Sequence, residues 1–496
     1  MPVRENVHAP LRGGEADEAI GSPGTTWPRA LLLAWFLVLP VAATAHAQDA
    51  RIGRLREYLA AAAALGHVQG SVLVAESSTV FIDTAFGFAD MEHGVRSTPD
   101  TRFRVASVSK QFTGMGIAML AEEGKLRIAD PISRYLDSLP AGWSGITIHH
   151  LLRHTSGISD YEEWFGGYNT QAYSDYMSQD SAAHRIARDA RTRPLDFEPG
   201  TRFHYSNSAY ILLGFIIERA SGMSYEEFLR TRIHEPLGMA RSSQDHSAEL
   251  LADRASGYRL RPGAFPVAYY NGLSRRDYLN GFYQLMEPPQ ADAGLVTTAR
   301  DLYRWDQALY TGRLVSPAML DSIFSPGLGR YGYGWFIMEG PDGVTHGHSG
   351  GLPGFTCYIL RIPDSRRTII VLGNLDRMGR TVRDLAAIMR GERIGLPRGR
   401  TLVAADSARN ARHVGVYRTG SGDSVAVSLD GSVLVGHWPE RWRTPLYEER
   451  DGSFYLPTPD AVARFRERRG RAEIVVEDAF GKTVVRGVRQ RRSAIP

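Results

Sequence analysis

Strand-like runs stand near the start of the chain and return late in it, with a long helical stretch between. This arrangement limits the fold more than any single motif does. Gly70 to Ala75 and Val80 to Phe88 read as strands, and strand character returns at Tyr333 to Met338, Phe355 to Arg361 and Thr368 to Leu372. Between them, Ile148 to Leu152 is a short helical turn, Ser208 to Arg219 an amphipathic helix closed by Gly222, and Tyr225 to Ile233 and Ala299 to Leu309 further helices. Ile52 to Leu65 and Thr381 to Met389 add an outer helix at each end. The pattern predicts an α+β unit: one sheet assembled from the two ends, with a helical subdomain inserted.

A Pro-, Gly- and Arg-containing connector follows Leu396, and the chain then changes character. Val425 to Val435 is two alternating runs around Asp430-Gly431, a strong hairpin signal, and Glu473 to Val488 repeats the idea around Gly481. These predict a small antiparallel β domain. The basic run Arg464 to Arg471, with Gly470 inside it, reads as a solvated hairpin end. At 496 residues the chain exceeds one ordinary core, so the expected division is a leader over 1–47, an α+β domain over 48–396 and the β domain over 401–496.

The leader carries its own signal. Arg29 precedes an apolar run from Ala30 to Ala45, which ends in Ala45-His46-Ala47 before Gln48. Positive charge, hydrophobic core and a small-x-small site are the order of a secretory signal peptide, so export to the periplasm or medium is expected. Glu15, Asp17 and Glu18 in a long preceding region keep an uncleaved anchor or a misassigned start as the alternatives, the anchor being the one route to a membrane. With no cysteine near the junction, lipid attachment there is excluded.

A formal charge of +4 spread over this length gives no reason to expect a nucleic-acid partner. The single cysteine, Cys357, rules out an intrachain disulfide and a cysteine-based metal cluster, and its apolar neighbours suit a buried small hydrophobe.

Chemistry concentrates in Arg104 to Gly114, and there in Ser107 and Lys110. Three positions apart on a helix, hydroxyl and amine share a face. A serine hydroxyl is a poor nucleophile until a neighbouring base takes its proton, and a desolvated lysine can be that base where an arginine cannot. Lys110, Lys125 and Lys482 are the only lysines of an arginine-rich chain, which hints that the amine itself is needed. An S-x-x-K taken alone favours the plainer reading, Ser107 capping a helix and Lys110 solvated on its surface, because the pattern is short and common.

Two further stretches shift the balance. Tyr205-Ser206-Asn207 lies directly before a long helix, where Ser206 or Asn207 is also a natural N-cap. A tyrosine beside a lysine can shuttle protons, and an asparagine can hold an amide with both a donor and an acceptor. Gly347-His-Ser-Gly-Gly-Leu-Pro-Gly-Phe355, expected as a glycine-rich stretch just ahead of a strand, would let a substrate lie against Gly350. The N–H of Gly351 could join that of Ser107 in holding an oxyanion.

S-x-x-K, Y-x-N and H-x-G in this order and spacing resemble the serine β-lactamase and penicillin-binding-protein superfamily, in the branch of class C β-lactamases, family VIII esterases and D-aminopeptidases. Leu151-Leu-Arg-His-Thr-Ser-Gly157, Pro199-Gly-Thr, Pro236-Leu-Gly-Met239 and Ala293-Gly-Leu-Val-Thr-Thr298 are similar to segments of the same branch, and the likeness runs over roughly residues 50 to 395. The resemblance implies an antiparallel sheet flanked by helices, an acyl-enzyme on Ser107, and Lys110 with Tyr205 sharing base and acid duties. It implies that Asn207 orients the acyl amide, and it requires no cofactor and no metal. His348 stands where β-lactamases carry the lysine of K-T-G, and a mostly neutral histidine is a weaker anchor for a substrate carboxylate. The expected activity is cleavage of an ester or amide bond in a small molecule or peptide, cell-wall-derived peptides included. The competing readings are a penicillin-binding or cell-wall-peptide sensor with little turnover, and a β-lactamase proper.

His149, His150 and His154, and the pair His346 and His348, have spacings that zinc sites use, but no H-E-x-x-H accompanies them and spacing alone is a weak motif. Tyr161, Trp164, Phe165, Tyr168, Tyr173 and Tyr176 suit a substrate lid or plain packing, and the sequence does not choose.

Overall fold

The computed structural model describes residues 50–496 apart from 248, 283, 439–442, 458–459 and 491–496. The leader expected over 1–47 lies outside the described residues. Among those described, no helix is long and apolar enough to cross a membrane.

Residues 50–64 form helix α1. The central sheet is built from β1 (Gly70–Glu76), β2 (Thr79–Phe86), β3 (Phe336–Gly340), β4 (Gly343–Leu352), β5 (Phe355–Ile362) and β6 (Arg367–Gly373). Its spatial order is β3-β4-β5-β6-β1-β2, antiparallel throughout. The two ends of the α+β unit meet where β1 pairs with β6, Gly70 opposite Gly373 and Val74 opposite Ile369.

β1 is buried along nearly its whole length because both faces of the sheet are covered. Side chains alternate along a strand, so Val72 and Val74, with Ile369 and Val371 of β6, face the core made with Leu55, Tyr58 and Leu59 of α1 and with Leu385 and Ile388 of α5 (Thr381–Met389). Leu73 and Ala75, with Ile370 and Leu372, face the larger core around α2 (Lys110–Glu122), α3 (Asn207–Ser221) and α4 (Ala299–Ala308). Helix α2 is buried on all sides from Lys110 to Leu120, which suits its apolar circumference. Its glycines allow close neighbours: a Cβ at Gly114 would lie 2.6 Å from the Tyr333 carbonyl oxygen, and one at Gly116 3.0 Å from Ile217 of α3. Helix α3 starts with Ser206 accepting the Ala209 N–H and stops at Gly222, whose φ of +74° is the left-handed conformation that glycine adopts without strain.

One expectation shifts. The strand predicted from Tyr333 begins at Phe336, because residues 333–335 pack as a turn on the start of α2, where a Cβ at Gly334 would lie 2.5 Å from the Lys110 carbonyl oxygen. The glycine-rich run around His348, expected just ahead of a strand, does precede β5 and is itself strand β4.

The C-terminal region is a closed antiparallel barrel: β7 (Gly415–Thr419), β8 (Ser424–Asp430), β9 (Val433–His437), β10 (Arg443–Glu448), β11 (Phe454–Leu456), β12 (Ala461–Arg468), β13 (Arg471–Asp478) and β14 (Thr483–Arg489), with β14 pairing back onto β7. Closure leaves no edge strand exposed. Tyr417, Val427, Leu434, Phe454, Leu456 and Ile474 fill it. The basic run is the β12–β13 hairpin end, with Arg469 and Gly470 both at positive φ. The barrel meets the α+β unit through Tyr270, whose ring lies 5.1 Å from that of Tyr455 and 5.8 Å from that of Tyr447, and through Asp460, which pairs with Arg380 and Arg400.

Candidate active site

Ser107 sits on a 3-10 turn, Ala106–Ser109, that runs into α2 at Lys110. Ala106 holds φ at +50°, an unfavourable conformation for a residue with a Cβ, costing about 1 kcal/mol. It is locked from both sides. Val105 donates its N–H to the Leu295 carbonyl, and β4 presses so close that a Cβ at Gly350 would lie 2.1 Å from the Val105 oxygen. Gly350 therefore makes room for the Ser107 turn as well as lining the pocket.

The Lys110 amine is buried. It lies 3.1 Å from Ser107 Oγ, 2.6 Å from Asn207 Oδ1 and 2.9 Å from the Asp292 carbonyl oxygen. Burial pushes its pKa down, opposed by the carboxylates of Asp292, Glu162 and Asp160. An uncharged amine has two protons to give and one lone pair to fill. Asn207 Oδ1 and the Asp292 carbonyl can only accept, so the lone pair falls to the Ser107 hydroxyl, the one partner with a proton to donate.

Asn207 is fixed at both ends of its side chain. Its Oδ1 takes the Lys110 hydrogen bond, and its Nδ2 and backbone N–H donate to the Asp160 carboxylate, each at 3.1 Å. Burial raises the pKa of Asp160 to about 6 against these hydrogen bonds, and burial also raises those of Glu162 and Asp292. Asp292 is further bound by Tyr161 at 2.9 Å and Gln290 at 2.9 Å. One lysine thus stands among three carboxyl groups.

Tyr205 is half-buried, but its hydroxyl is sealed from solvent and makes no well-formed hydrogen bond. Burial raises its pKa well above the ordinary value, opposed by the nearby Ser107 hydroxyl. Its ring lies 4.9 Å from Lys110 Nζ and packs against His154, Phe336 and His348. His348 Nε2 lies 2.9 Å from the Tyr331 hydroxyl and its Nδ1 2.6 Å from the Ser349 carbonyl. The imidazole therefore donates from Nδ1 and accepts at Nε2. Burial, with repulsion from Lys110, takes its pKa down to about 3. His348 is neutral with both nitrogens occupied, so the charge that a K-T-G lysine would supply is missing.

Ser107, Tyr205, Asn207 and His348 line one pocket of about 680 Å³ with Gly351, Glu162, Tyr168, Tyr269, Tyr270, Asp376 and Arg377. Of the aromatic stretch, Tyr168 lines the pocket while Tyr161 and Tyr173 are core. The other histidines are engaged structurally: His149 with the Tyr333 hydroxyl, His150 in a capping box with Thr147, and His154 Nδ1 with the Ser206 N–H.

Sequence reasoning missed Asp160, Glu162, Asp292 and Arg377.

The family model described as Beta-lactamase matches residues 55–392. Penicillin-binding protein 4* of Bacillus subtilis (strain 168) is 31% identical over 438 residues, covering 84% of this chain and 94% of that protein. Among solved structures, the octameric penicillin-binding protein homologue from Pyrococcus abyssi is 25% identical with a TM-score of 0.59, covering 88% of this chain and 100% of that one. D-amino acid amidase from Ochrobactrum anthropi SV3, at 23% identity, shares the fold with a TM-score of 0.54 over 65% of this chain and 92% of that one.

Proposed function

The chain belongs to the beta-lactamase family, and from that premise we propose that it is an exported serine hydrolase opening an ester or amide bond through an acyl-enzyme on Ser107. The observation that carries this reading is the lone pair of Lys110. Two of the amine's neighbours can only accept, so an uncharged Lys110 is aimed at the Ser107 proton.

In this mechanism Ser107 Oγ attacks the substrate carbonyl carbon while its proton passes to Lys110. The oxyanion rests on the N–H groups of Ser107 and Gly351. Collapse breaks the bond to the leaving group, which takes a proton relayed from Lys110 through Tyr205. Water then attacks the acyl-enzyme, gives its proton to the same base and frees Ser107. Asn207 has one amide proton left for the acyl group, since Asp160 holds the other. Glu162, Asp376 and Arg377 also line the pocket, and such polar groups suit a peptide-like substrate.

The test is covalent labelling by a fluorophosphonate probe, expected in the wild type and absent in Ser107→Ala. Labelling that persists in the variant would overturn the assignment. The likeness to a penicillin-binding protein favours one second reading, a receptor that acylates without turning over. More than one product equivalent per site removes it. Efficient β-lactam hydrolysis is disfavoured by the neutral His348. Export rests on the residues from Arg29 to Ala47, and a mature N-terminus at Gln48 is the expected result of N-terminal sequencing.

A further inference from the structure

A second cavity, of about 450 Å³, opens where the catalytic unit meets the barrel. Arg54, Arg380, Arg393, Arg398 and Arg400 line it against two carboxylates, Asp384 and Asp460. Three of these arginines have structural work to do. Arg54 pairs with Glu57, Arg380 with Asp384 and Asp460, and Arg400 with Asp460 while stacking 4.0 Å over Tyr455. Arg393 and Arg398 have no such ion pair among the described residues, and Arg393 lies 5.0 Å over the Phe480 ring. If arginines were here only to join barrel and catalytic unit, the Asp460 pairs would suffice. Two exposed, unneutralised guanidinium groups on a concave surface are instead what carboxylate recognition uses.

The cavity adjoins the catalytic pocket. Tyr269, Tyr270, Met378 and Gly379 line both. We propose that this interdomain cleft is an extended subsite that holds the acidic end of a peptide whose scissile bond lies at Ser107, with Arg393 and Arg398 reading its carboxylates. The proposal rests on the hydrolase reading for the identity of the substrate, and the barrel thereby becomes one wall of the binding site.

The test uses full-length Ser107→Ala protein, so that nothing is consumed, and two fluorescein-labelled peptides, tetraglutamate and tetraglutamine, followed by fluorescence anisotropy. Tetraglutamate should bind about tenfold more tightly, as two charge-assisted contacts would give, and the preference should shrink in concentrated NaCl. R393Q/R398Q in the same background should abolish the preference without moving the melting temperature, since both side chains are exposed. Equal binding of the two peptides, or a preference that survives R393Q/R398Q, overturns the proposal. Wild-type turnover of p-nitrophenyl acetate reports on Ser107 separately. No turnover with the glutamate preference intact would remove the hydrolase reading and leave an acidic-peptide site, whereas turnover without the preference would do the reverse.

Discussion

The imidazole of His154 lies 4.2 Å from the phenol ring of Tyr205, and its Nδ1 accepts the N–H of Ser206, the next residue along. One buried ring thus supports both the side chain and the backbone that place the Tyr205 hydroxyl. His154 itself holds φ at +55°, a second strained residue beside the site.

His154→Ala should therefore lower kcat by about one to two orders of magnitude with KM nearly unchanged, because a displaced phenol impairs proton relay and not ground-state binding. Leaving the Ser206 N–H buried without an acceptor should cost about 2 kcal/mol in urea unfolding. Steady-state kinetics on a p-nitrophenyl ester check the first part, and a change confined to KM would contradict it.

Lys110→Arg keeps a cation and removes the lone pair. Since a guanidinium does not deprotonate in the working range, kcat/KM should fall by about a thousandfold. In the wild type, activity should climb as pH rises through the depressed Lys110 pKa, and the variant should lose that limb. A pH–rate profile decides it.

Asp160→Asn changes how stability depends on pH. Burial raises the Asp160 pKa from 3.8 to about 6, so between those values the folded state binds more protons than the unfolded one. Stability from this group is complete below pH 3.8 and is lost as pH rises through 6, by roughly 3 kcal/mol for a shift of that size. The wild type minus variant difference, from urea unfolding at pH 4.5 and pH 7.5, should therefore fall with pH. A difference that is flat, or that grows, would contradict the raised pKa.

Gly350→Ala and Gly351→Ala should behave differently although they are neighbours. The first places a methyl 2.1 Å from the Val105 carbonyl oxygen, backbone that cannot yield without moving the Ser107 turn. The second meets the end of the Tyr168 side chain at 2.8 Å, which can swing away. Melting curves and ester turnover should show Gly350→Ala as unstable and inactive, and Gly351→Ala as folded with altered substrate preference.

Ser107, Lys110, Tyr205, Asn207 and His348 were legible in the sequence because each lies in a short run whose local spacing carries meaning. The helices over Ile148–Leu152 and Thr381–Met389 were legible from their apolar spacing alone. The carboxyl groups around Lys110 were not, since Asp160 and Asp292 reach it only through tertiary folding and no periodicity marks them. That the glycines of β4 lie within a strand was not legible, because what Gly350 accommodates, the Val105–Ala106 backbone, is distant in sequence. The barrel's hairpins could be read from Asp430-Gly431 and Gly481. Its closure, β14 onto β7, is a long-range pairing that leaves no local trace.

The junction between β1 and β6 has a consequence for biogenesis. Gly70 waits for Gly373, so during synthesis the hairpin of β1 and β2 has no neighbour until most of the polypeptide has left the ribosome. A chain that cannot finish its central layer early stays threadable for longer.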